Sequence, residues 1–102
     1  MLEIARYVRN EKLTVGTTSK QIARDLSGIG GRRAIVIRNI SSDPADVITL
    51  ALGTDAAVSG AGIVLKQGEV WYDGNDAGYE CWQHEIQAIC DTSNGVLSVM
   101  ER

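Results

Sequence analysis

His84 is the only histidine in the chain, so any Ser–His or Cys–His relay must use that one imidazole. Cys81 lies three residues before it, and on an extended segment side chains so spaced point to opposite faces. The nucleophile–base contact that activates a thiol is therefore not expected. His84 reads instead as a surface residue on a polar Gln-His-Glu step. Cys81 and Cys90 are the only cysteines; with no second pair they do not make a zinc site. They are expected either as two small buried thiols or as a bridge across neighbouring strands. Asp73, Asp76 and Glu80 offer carboxylates, but the ligand order of a calcium loop is absent, and Gly74, Asn75 and Gly78 make a flexible acidic turn the simpler reading. Gly28-Ile-Gly-Gly31 lacks the Lys-Ser/Thr ending of a phosphate loop and precedes a strand rather than a helix. Gly60-Ala-Gly62 has no βαβ context either. No catalytic, metal-binding or cofactor-binding residues are expected, and the chain is read as a non-enzyme.

The aromatics point elsewhere. Trp71 and Tyr72 are adjacent on a predicted strand, so one faces the core and the other faces outward. An outward aromatic beside a loop suits an interface anchor, and Trp82 faces the same choice between anchor and partly buried residue.

The elements that must hold these residues are short strands. Arg33–Ile40 is the clearest, with Ile35 and Ile37 on one side and Val36, flanked by Ala34 and Arg38, on the other, as in a central strand covered at least partly on both faces. Ser41-Ser-Asp-Pro44 ends it in a turn. Further strands are predicted at Lys12–Val15, Ser19–Ala23, Asp46–Leu52, Ile63–Leu65, Val70–Tyr72, Glu85–Cys90 and Val96–Glu101. Lys66–Glu69 and Asn94-Gly95 suggest hairpin turns. Leu2–Arg9 fits a short N-terminal strand or an arm. The spacing predicts an all-β fold: a small antiparallel β-sandwich or barrel, jelly-roll or immunoglobulin-like, of eight or nine short strands. Residues 1–12 are the N-terminal strand or arm and 13–102 the single sandwich domain.

Composition bounds the function. At 102 residues the chain suits one domain with a single core, and with no Phe that core must come from Ile, Val, Leu and Ala. The longest apolar runs are too short to span a membrane. The start MLEIARYVRN carries charge and no small-residue cleavage site, so a secretory signal is not expected. The net charge of −3 hides a polarity: basic residues concentrate before Ile40 and acidic ones after it. That pattern fits either local compensation between paired strands or a polarised surface that orients a charged partner. Nucleic acid is not an expected partner, because the basic half has no interleaved aromatics and the whole chain is acidic.

The segments TVGTTSKQI (14–22), RRAIVIRNISSD (32–43), ITLALG (48–53), GIVLKQGE (62–69) and VLSVMER (96–102), in that order, resemble short virion proteins of tailed bacteriophages. In these a strand ending in an Asn-x-Ser turn precedes a Gly-Ile-x-Leu-x-x-Gly-Glu hairpin. The chain departs from the shortest versions in its insert Asn75–Gln83 and its charged N-terminal segment. The resemblance implies a β-sandwich used as a capsid decoration or cement protein, made in the bacterial cytoplasm and carried on the virion's capsid surface. It would bind the major capsid protein and associate with itself as a homotrimer. Ile4, Tyr7 and Val8 of the arm, with Trp71, Tyr72 and Trp82, are the candidate interface residues. The alternatives are a carbohydrate- or receptor-binding module of a head or tail fibre and a head–tail connector component.

Overall fold

The alternation of Ala34–Asn39 forms an interior strand, as its pattern requires: Ile35 and Ile37 are fully buried, Val36 is half-buried and Arg38 is exposed. The computed structural model describes residues 8–75 and 80–102. Its strands are β1 (Arg9–Val15), β2 (Lys20–Ala23), β3 (Ala34–Asn39), β4 (Ile48–Leu52), β5 (Ile63–Leu65), β6 (Val70–Gly74), β7 (Ile86–Cys90) and β8 (Gly95–Glu101). Residues 9–12, grouped by sequence with the N-terminal segment, belong to β1 and pair with β8. Among the described residues no helix is long and apolar enough to cross a membrane.

The strands make two four-stranded antiparallel sheets, ordered β1-β8-β3-β6 and β2-β7-β4-β5. The pairs β1·β8, β2·β7, β3·β6 and β4·β5 nest one inside the next. The chain is thus one long hairpin, with β4–β5 at its tip, rolled until β3 meets β8 and β4 meets β7. Of the two windings expected from sequence, this is the jelly roll; an immunoglobulin-like sandwich distributes its strands differently.

The rolled path corrects two local expectations. Lys66–Glu69 is a tight turn, with Glu69 N–H donating to the Lys66 carbonyl at 2.9 Å and Gly68 at φ +81°. The strands it joins, β5 and β6, nevertheless lie in different sheets. Asn94-Gly95 likewise carries the chain from β7 in one sheet to β8 in the other. Gly95 is needed there for space: a Cβ would lie 2.6 Å from the Val15 carbonyl oxygen and 2.7 Å from Cys90 Sγ. Turn residues specify a reversal, while the sheet that the next strand joins is decided by burial of its apolar face.

That burial lies between the sheets. Val15, Ile35, Ile37, Leu97 and Val99 of the first sheet face Ile22, Ile48, Leu50, Leu65, Ile86 and Ala88 of the second. Both cysteines are free and buried within this core. The sandwich is pinned at each end by buried polar groups. At one end Asn39 donates to the carbonyls of Asp46 and Leu65, at 2.7 and 2.9 Å, and its Oδ1 accepts from Ser41 N–H. This side chain ties β3 of one sheet to the entry of β4 and the end of β5 in the other. At the opposite end of β3, Arg32 and Glu101 form an ion pair at 2.7 Å with both side chains fully buried.

Candidate functional site

The two sheets present very different outer faces. On the second, Thr49, Ile89 and Val64 share a cross-strand row, and the 53–62 loop is strapped over it. Gly60 N–H donates to Thr49 Oγ1 at 3.0 Å, Ala57 N–H to Ser19 Oγ at 2.8 Å, and Ser59 hydroxyl to the Asp91 carboxylate. Thr49 is 1% exposed as a result. The strap comes so close that a Cβ on Gly62 would sit 2.3 Å from the Leu50 carbonyl oxygen, and Gly62 also holds φ +135°.

On the first sheet the register sets two outward rows, Asn10–Met100–Val36–Tyr72 and Lys12–Ser98–Arg38–Val70. Val36 and Met100 are half-buried by their neighbours, Val70 is 46% exposed and Tyr72 is 49% exposed. Val96 continues the apolar surface on β8. Lys12 and Arg38 are exposed among these residues, and neither row contains an acid. The result is an outer face on which half-exposed apolar side chains alternate with the basic Lys12 and Arg38.

The candidate interface residues divide accordingly. Tyr72 faces outward, while its neighbour Trp71 packs inward against the core, as adjacent strand positions demand. Val8 is exposed immediately before β1. Trp82 is half-buried against the core, and its indole N–H donates to the Glu85 carbonyl at 3.0 Å. Ile4 and Tyr7 lie outside the described residues, as does Asp76 of the acidic turn. The structure therefore brings Tyr72 together with Val36, Val70 and Met100, and keeps Trp71 and Trp82 apart from that group.

Sequence reasoning missed the polar end of the sandwich. The buried guanidinium of Arg32 donates to Glu101 Oε2 at 2.7 Å and to the carbonyls of Arg24 and Trp82, each at 2.7 Å, and of His84 at 3.2 Å. Glu101 also meets Arg9 at 3.0 Å. Gln83 bridges the same region: its Oε1 accepts from Arg32 N–H, and its Nε2 donates to the carbonyls of Arg32 and Cys81. Gly31 makes room for it, since a Cβ there would lie 2.4 Å from Gln83 Oε1. Basic residues of the first half thus meet Glu101 of the second, the local compensation that the charge polarity allows. No sequence signal marks Arg32, because an arginine is ordinarily a surface residue.

This network draws Asp25 and His84 together on the surface, with Asp25 Oδ1 3.5 Å from His84 Nδ1. Asp25 accepts from the hydroxyl and the N–H of Ser27, which hold its carboxyl below the ordinary range. Together with Glu85, these residues place one donor atom each within 4.8 Å of one another. Beside them Ser27, Glu80, Cys81, Trp82, Gln83 and His84 line an open cleft of about 360 Å³. Desolvation, then the Asp73 carboxylate, push the Cys81 thiol up to about 11, which favours its protonated form at neutral pH.

No protein-family model matches this chain, and neither do any curated protein or solved structure.

Proposed function

We propose that this chain is a non-enzymatic structural protein of a tailed-phage virion, a decoration or cement protein that binds the major capsid protein on the capsid surface. The observation that carries this reading is the outer face of the first sheet, where Tyr72, Val36, Met100 and Val70 form an apolar band beside Lys12 and Arg38. Such a face seats on an apolar strip bordered by acids, with the basic rim fixing orientation and the aromatic anchor supplying contact area. One copy alone buries a small surface. Acting as a homotrimer, the protein would engage several capsid subunits at once, so that effective concentration multiplies the weak individual contacts. Binding to the assembled shell and not to its free subunits then stabilises the shell by linkage. No catalytic group enters this mechanism, which needs a rigid platform, and the two polar clamps serve that need.

Counting copies per purified particle tests the reading. A decoration protein is present in numbers on the order of hundreds, matching the repeated lattice sites that multivalent binding exploits. A dozen or fewer would make the chain a connector or fibre part instead.

The cleft beside Trp82 favours a second reading, a carbohydrate- or receptor-binding module on a head or tail fibre. Its aromatic and acidic lining, with Trp82, His84 and Glu80, suits sugar stacking and hydroxyl recognition. Saturable glycan binding that disappears in Trp82→Ala would support that alternative over the first.

A further inference from the structure

We propose that Asp25, His84 and Glu85 form a surface site for one first-row transition cation of the Zn²⁺ type, stapling the loop after β2 to the segment entering β7. The donor set is one imidazole nitrogen and two carboxylate oxygens, all within 4.8 Å. Tetrahedral coordination with bonds of about 2.0–2.2 Å brings ligand atoms to roughly 3.4 Å from one another. Small side-chain rotations reach that spacing, and the side chains of His84 and Asp25 are about half exposed, at 52% and 46%, so solvent leaves them room to turn.

The backbones beneath them are fixed. The buried Arg32 guanidinium holds the carbonyl of His84 and that of Arg24, the residue before Asp25. The Glu85 carbonyl accepts from both the Trp82 indole and Gly53 N–H, at 3.0 and 2.8 Å. The Trp82 ring also packs edge-on against the His84 imidazole, with centroids 5.1 Å apart. One buried cation-and-carboxylate pair thus positions both segments that supply donors. This is the kind of outer support that metal ligands require.

The cleft opens beside the imidazole. His84 lines it together with Ser27 and Glu80, so a cation on the imidazole has an open side where water or an exogenous ligand completes its coordination. The mixed nitrogen and oxygen set selects the cation class: imidazole suits zinc, copper, nickel and iron, whereas calcium and magnesium prefer all-oxygen shells. None of the three residues belongs to the outward rows of the first sheet, so this site stands or falls independently of the docking face.

The test uses the full chain without a histidine tag. Calorimetric titration and thermal melting with ZnCl₂ are compared with MgCl₂ and CaCl₂, in the wild type, His84→Gln and Asp25→Asn. The expected result is one zinc per chain and a raised Tm with zinc alone, because a ligand of the folded state stabilises it by mass action. Each variant should bind roughly tenfold or more weakly while keeping the metal-free Tm of the wild type. Absence of zinc binding at millimolar concentration overturns the proposal. So does undiminished binding in His84→Gln, or an equal response to calcium or magnesium.

Discussion

The two outer faces of the sandwich are built from the same kind of strand and finished in opposite ways. On the second sheet the 53–62 loop lies over Thr49 and closes that side chain from solvent, while its row neighbour Val64 stays 41% exposed. On the first sheet the equivalent row leaves Tyr72 half exposed beside Val36 and Met100. The strapped face contributes to stability, because its buried hydroxyl and amide groups satisfy one another. The open face leaves Val70 and Tyr72 about half exposed, and it is the face on which the proposed docking rests. A sheet needs one covered face to fold, and the second face becomes a surface on which evolution can write function.

This contrast is sharpened by substitutions ordered from the largest expected effect to the smallest. The greatest loss belongs to neither face but to the clamp that supports both. Glu101→Ala leaves the buried Arg32 charge without its partner and should cost about 3–5 kcal/mol in chemical denaturation. The double change Arg32→Met with Glu101→Leu should recover part of that loss, since no buried Arg32 or Glu101 charge remains unpaired, while the carbonyls of Arg24, Trp82 and His84 lose their donor.

On the strapped face, Gly62→Ala forces a Cβ against the Leu50 carbonyl at a left-handed φ. It should lower stability by about 1–3 kcal/mol, seen as a reduced midpoint in urea. Thr49→Val removes the acceptor for Gly60 N–H and should cost about 1 kcal/mol by the same measurement. On the open face, Val70→Ser should change stability by no more than about 0.5 kcal/mol while weakening particle binding. If Val70→Ser were as destabilising as Gly62→Ala, the distinction between the faces would fail. Within the core, Cys81 and Cys90 should resist iodoacetamide at neutral pH in the native protein and both alkylate after denaturation, as mass spectrometry would show. Burial and the raised Cys81 pKa both act in that direction.

The strands were legible in the sequence because their physics is local. Alternation in Ala34–Asn39 predicts which side chains point inward, and the same rule separates Trp71 from Tyr72. The all-β class follows from the spacing of such segments. The winding does not: Lys66–Glu69 and Asn94-Gly95 carry hairpin chemistry, yet each connects one sheet to the other. That outcome depends on which apolar faces meet across the sandwich, a property of the whole chain. The candidate docking surface was half legible. The sequence shows that one of Trp71 and Tyr72 is an outward aromatic without deciding which, and Met100 and Val36 join Tyr72 only through the β8–β3–β6 register. The Arg32–Glu101 clamp and the meeting of Asp25 with His84 were not legible, because the residues lie far apart in the chain and are brought together only by the rolled topology.

The most direct test of the account is co-sedimentation of the purified chain with capsids that lack it, comparing the wild type with the double variant Val36→Glu/Tyr72→Arg. The account predicts saturable binding of the wild type at many copies per capsid, and loss of that binding in a variant that still melts cooperatively as a folded protein. Undiminished binding by the folded variant, or no capsid binding by the wild type, would contradict it.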